Sequence, residues 1–139
     1  MKKLISIILA LTFVLCFASC GEAVDSATLW DSAVYIEDTT VGQGEKAFTL
    51  EVKIEDKTVT FTVNTDADTV GKALLDNGII EGEDGAYGLY IKEVNGILAD
   101  YDVDQSYWSF YIDGEYAMSG VDTTEIAEGA VYCLVYTKG

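Results

Sequence analysis

Two runs of side-to-side alternation stand back to back between residues 48 and 63, and they constrain this chain more than any other feature. Phe48, Leu50, Val52 and Ile54 share one parity, with Thr49, Glu51 and Lys53 on the other. Val59, Phe61 and Val63 then alternate with Thr58, Thr60 and Thr62. Successive strand side chains point to opposite faces, so each run reads as a strand with one buried side. With Asp56-Lys57 as a two-residue turn, Ile54 is expected opposite Val59, Val52 opposite Phe61 and Leu50 opposite Val63. A lone hairpin is marginal in water, so other elements are required to cover its apolar side.

The residues that follow supply them. Asp68 is placed to cap a helix whose Val70, Ala73 and Leu74 fall on one face, and Asn77-Gly78 supplies its stop. Such a short helix cannot hold alone and is expected to pack on the sheet. Tyr87 to Val94 runs into Asn95-Gly96, a hairpin turn, and returns through Ile97 and Leu98. The acidic run Glu81-Gly82-Glu83-Asp84-Gly85 is read as an exposed turn. A second hairpin turns at Asp113-Gly114 within Ser106–Asp122, and Val131 to Thr137 reads as a closing strand. The chain has no proline, which leaves strands free to form almost anywhere. The expected fold is α+β: a mostly antiparallel β-sheet with one packed helix, similar to a β-grasp.

The second hairpin is apolar on both faces. Trp108, Phe110 and Ile112 are the least polar and are expected under the helix. Tyr107, Tyr111 and Tyr116, with Met118, form the opposite face, and Tyr111 and Tyr116 are expected as a cross-strand pair. Two readings of that face stand open. Either the N-terminal segment covers it through Trp30 and Tyr35, or it is an amphipathic platform for a flat ligand or a protein partner. Tyrosine-rich surfaces of this kind suit adaptable recognition.

The N-terminus speaks to compartment. Met1-Lys2-Lys3 is a short basic segment, and the uncharged stretch Leu4 to Ala18 has the length of a signal-peptide core rather than a membrane span. It ends in Phe17-Ala18-Ser19-Cys20-Gly21, which resembles the lipobox of bacterial lipoproteins. The resemblance implies acylation of Cys20 and its emergence as the first mature residue. The expected organisation is a lipoprotein signal peptide over 1–19, a lipidated tether over 20–28 and one domain over 29–138. Loss of Lys2 and Lys3 would leave six lysines against 24 carboxylates, a net charge of −18 compared with −16 for the whole chain. A surface this acidic excludes nucleic acid, which is held chiefly by Lys and Arg. The expected setting is a membrane lipoprotein facing outside the cytoplasm.

Cys133 is the one cysteine beyond the signal and lipobox, in an apolar strand, and reads as a structural thiol without a disulfide. Asp100, Asp102 and Asp104 have the spacing that opens a calcium loop, but Gln105 replaces the loop glycine and Tyr111 the terminal acid. A solvated acidic loop is the preferred reading. With no histidine in the chain, Ser and Cys lack their commonest general base, so neither an enzyme nor a resident cofactor is expected.

A set of motifs stands in order along the chain: Trp30 with Ala33 and Tyr35, then Val41-Gly42-Gln43-Gly44 and Thr69-Val70-x-x-Ala73-Leu74-Leu75. Tyr87-Gly88-Leu89-Tyr90, Val94-Asn95-Gly96-Ile97 and Tyr107-Trp108-x-Phe110-Tyr111 follow, running through Gly114 to Gly120-Val121-Asp122. Together they resemble the transcobalamin-like C-terminal domain family, over nearly all of residues 29–138. The family is found in bacterial surface lipoproteins and as the domain that caps cobalamin in animal vitamin B12 carriers. The resemblance implies a binding module for a corrinoid or another planar ligand. Without histidine, cobalt ligation by an imidazole is ruled out. The alternative expectation is an adaptor that binds a surface protein or transporter and no small molecule.

Overall fold

The computed structural model describes residues 26–86 and 88–139, so Cys20, the signal segment and Tyr87 lie outside the described residues. Helix α1 (Ser26–Trp30) leads into strands β1 (Thr39–Gly42), β2 (Lys46–Ile54) and β3 (Lys57–Thr65). Helix α2 (Val70–Asp76) is followed by β4 (Ile80–Gly85), β5 (Gly88–Val94) and β6 (Ile97–Leu98). Helix α3 (Tyr101–Asp104), β7 (Ser106–Ile112), β8 (Glu115–Tyr116), a 3-10 turn (Val121–Thr123) and β9 (Val131–Lys138) complete the chain.

Six strands form one sheet in the order β1-β3-β2-β9-β7-β8, and β4-β5-β6 form a second. Antiparallel pairs predominate, but β1 runs parallel to β3 and β9 parallel to β2. The closing strand β9 thus lies between the first hairpin and β7, with α2 following the hairpin, which is the arrangement of a β-grasp. The α+β expectation holds.

The register of the first hairpin differs from the sequence expectation. Val52 faces Val59, Leu50 faces Phe61 and Phe48 faces Val63. The turn is Glu55-Asp56, with Glu55 in the left-handed region at φ 52°. This moves the pairing by two residues, so the buried parity is unchanged and apolar still meets apolar. Phe48, Leu50, Val52, Ile54, Phe61 and Val63 are all buried.

Thr69, not Asp68, caps α2, its hydroxyl accepting from Lys72 N–H at 3.2 Å. Asn77 closes the helix by donating to Ala73 O from both its amide and its side chain, at 3.2 and 2.8 Å. Val70, Ala73 and Leu74 are buried, as their spacing demands. Gly71 lets the helix touch the 3-10 turn: a Cβ there would stand 2.8 Å from the Asp122 Cα. The acidic run 81–85 is exposed, but it is the strand β4, paired with β5 through its backbone, and not a turn.

Trp108 also has a different partner from the one expected. It is buried at 7% exposure, but its Nε1–H donates to Ile97 O (3.3 Å) in the three-stranded sheet, and its ring meets Tyr136 edge-on at 5.6 Å. The helix packs instead on the 3-10 turn, β3 and β4. The N-terminal segment lies on the core side of the large sheet. Trp30 is buried there, and Tyr35 meets Phe61 edge-on at 5.5 Å. Asn95 clamps this segment, its side chain accepting from Tyr35 N–H (2.9 Å) and donating to Tyr35 O (2.8 Å).

Candidate functional site

The core side of the large sheet is closed by Tyr132 and Leu134 of β9 together with Phe48 and Phe110. Tyr132 is held on both sides, edge-on to Phe48 at 5.3 Å and stacked on Phe110 at 6.0 Å. Residues of the other parity point to the outer face. Cross-strand partners share a face, so the register places Tyr111, Cys133 and Glu51 in one row, and Ser109, Val135 and Lys53 in the next. Tyr107 stands beside Thr137.

The tyrosines of the second hairpin therefore belong to this outer face. Tyr111 and Tyr116 face each other across Asp113-Gly114, and their rings meet edge-on at 5.6 Å. Asp113 and Gly114 both have positive φ, 50° and 87°, as the tight turn requires. Tyr107 lies 6.3 Å from Tyr101 of α3. Tyr107 and Tyr111 are half-buried, whereas Tyr116 is 63% and Met118 96% exposed. The covering expected from Trp30 and Tyr35 is absent, because both residues pack on the opposite side of the sheet.

Next to Tyr111 the face is hollowed. A depression of about 240 Å³ is lined by Val131, Cys133 and Val135, with Glu51 and Lys53 on its rim. Sequence reading missed this part of the face, because Val131 to Val135 is apolar in both parities and shows no side. Cys133 is buried at 7% exposure, yet its side chain faces outward under the tyrosine row. Burial pushes its thiol up, the nearby Lys53 opposes the shift and Glu51 adds to it. The thiol therefore stays protonated and weakly nucleophilic at neutral pH.

Asp100, Asp102 and Asp104 do not open toward a common point. They belong to a single helical turn, where Asp100 caps Asp102 N–H at 3.1 Å. Asp104 accepts from both the amide and the hydroxyl of Ser106, which hold its carboxyl below the usual range. Gln105 takes the left-handed position after the turn at φ 61°. Among the described residues no group of three His, Cys, Asp or Glu side chains is arranged to hold a metal ion.

These features define an α+β domain of β-grasp arrangement, with a tyrosine-bearing sheet face left uncovered by the described residues. By sequence, the chain belongs to the family described as Domain of unknown function (DUF4430), whose profile matches residues 67–136. A crystal structure of a protein from Ruminococcus gnavus ATCC 29149, proposed to bind metal, is similar at 32% identity and a TM-score of 0.64. The match covers 68% of this chain and 99% of that one. Haptocorrin, solved in complex with Cbi, shares the fold at 22% identity and a TM-score of 0.55. That match covers 70% of this chain but 26% of haptocorrin. Among curated proteins none matches the chain.

Proposed function

We propose that this chain is an anchored extracytoplasmic binding module of the transcobalamin-like kind, which captures a planar small ligand, a corrinoid first among candidates. The observation that carries the reading is the uncovered tyrosine face: Tyr111 at the apolar depression of β9, with Tyr107 and Tyr116 on the same face of the sheet. Rigid aromatic rings offer large contact area at small entropic cost, and their hydroxyls tolerate water when the site is empty. At about 240 Å³ the depression is below the usual size of an enclosing pocket, roughly 300–1,000 Å³. The face would accordingly hold one side of a flat molecule and leave the other free. Haptocorrin's likeness supports the fold for such a role, and the raised thiol of Cys133 and the lack of histidine favour binding over catalysis.

Titrating the full-length chain in detergent with cobalamin, cobinamide and heme tests the small-ligand reading. Saturable micromolar or tighter binding of one of them is the expected result. The adaptor reading rests on the exposure of Tyr116 and Met118, and it gains if none of the three binds while a surface protein does. Anchoring is proposed through the acylated Cys20. Cys20→Ala is expected to move the protein from the membrane to the soluble fraction or to stall its processing, as fractionation and mass spectrometry would show. Normal cleavage with full membrane retention would contradict it.

A further inference from the structure

We propose that the crevice between β5 and β7 is a second site, which takes an extended basic peptide of another protein by strand addition. β7 bonds to β9 through its odd-numbered residues. Asp113 N–H donates to Val131 O (2.7 Å), Gly139 N–H donates to Gln105 O (2.8 Å), and the register between them is unbroken. Even-numbered residues therefore turn their amides and carbonyls to the opposite edge. β8 occupies only the end of that edge, with Ile112 opposite Glu115 and Ala117 N–H donating to Phe110 O (3.0 Å). Trp108 N–H, Trp108 C=O and Phe110 N–H are left without a backbone partner among the described residues. Across the crevice β5 also has a free flank: on that side it pairs with β6 only through Glu93 and Val94, with Ala99 N–H reaching Lys92 O.

Between these edges lies a cleft of about 170 Å³, walled by Leu89 and Ile91 on one strand and Trp108 and Phe110 on the other. Ala117 and Val121 also line it, and Tyr107 and Tyr116 border it from the tyrosine face. Unpaired main-chain groups flanked by apolar walls are what an added strand uses, backbone bonds giving affinity and alternate side chains specificity. Charge selects the occupant. Asp122 stands at the Gly88 end of the cleft, where one carboxylate oxygen is buried with no hydrogen-bond partner among the described residues. Glu83 and Asp84 stand opposite Tyr90 and Leu89 on β4, and Glu115 is exposed on β8. Lys92, the nearby cation, is paired with Glu83 at 3.5 Å. With a net charge of −16, a second copy would be repelled, whereas a lysine-bearing segment would be attracted.

The test is fluorescence anisotropy of the full-length chain in lipid nanodiscs with a labelled Lys-Thr-Val-Lys-Val-Thr-Lys peptide as probe. Saturable binding is expected, weakened tenfold or more when alternate amides of the peptide are N-methylated in one of the two registers. Replacing its lysines with glutamate should abolish binding. Ala117→Trp, which fills the cleft, should weaken it at least tenfold, and Asp122→Asn at least threefold, each variant checked by thermal melting. The peptide arms decide the matter even if a variant fails to fold. No saturable binding, equal binding of all N-methylated peptides, or full binding by a folded Ala117→Trp protein would overturn the proposal. Tyr107 and Tyr116 border both sites, so ligand capture is read separately, by titrating cobalamin, cobinamide and heme in the absence of peptide.

Discussion

Glu93 is one side chain whose surroundings make stability depend on pH. It stands opposite Glu81 across β4 and β5, and a hydrogen bond between the two carboxyls, then burial, then their mutual repulsion raise its pKa above the ordinary value of 4.5. A carboxyl raised in the folded state contributes stability that is complete below its unfolded pKa and lost as pH rises through the folded one. Glu93→Gln keeps a hydrogen-bond donor and removes the charge. Its melting temperature is expected to exceed that of the parent at pH 7, with the difference vanishing near pH 4; an unchanged difference across that range would contradict the pairing. The pairing was not legible in the sequence, because it depends on a bulge between Glu81 and Gly82 that no local motif marks. Burial of Val70, Ala73 and Leu74 was legible, since helical spacing alone fixes their face. The cap fell to Thr69 because its hydroxyl is in reach of Lys72 N–H.

Elements with special backbone chemistry were the easiest to read. Asn95-Gly96 and Asp113-Gly114 have φ of 52° and 79°, and of 50° and 87°, conformations these residues adopt readily. Glu55-Asp56 has no such mark, so the first turn was placed wrongly while its strands were placed correctly. β1 and β4 were missed for a related reason: one is four residues long and pairs in parallel with a distant strand, and the other is acidic and glycine-containing. The second hairpin was read correctly as a hairpin, but its partner was not, because sequence shows which face is apolar and not what covers it. Trp108 joins the two sheets, with its indole donating to Ile97 O. Trp108→Ala is expected to destabilise the protein by about 3–5 kcal/mol, measured by urea unfolding. A loss under about 1 kcal/mol would mean that the indole is not a core group.

At the scale of the molecule, the six-stranded mixed sheet has one side packed and the other open to solvent beneath a row of tyrosines. Alternation predicted the packed side. It could not reveal the open one, because Val131, Cys133 and Val135 are as apolar as the core residues between them. Of the two readings of the tyrosine face, the one that covers it with the N-terminal segment does not hold, because Asn95 and Phe61 keep that segment on the far side of the sheet. The most direct test of the account is a calorimetric titration of the double variant Tyr111→Ser, Tyr116→Ser with whichever of cobalamin, cobinamide or heme binds the parent, alongside thermal melting. Because both rings pack on each other at the rim of the sheet and not in its core, the account predicts melting within a few degrees of the parent. It also predicts binding at least tenfold weaker, since aromatic anchors dominate such contacts. Parental melting with parental affinity, or loss of the fold itself, would contradict it.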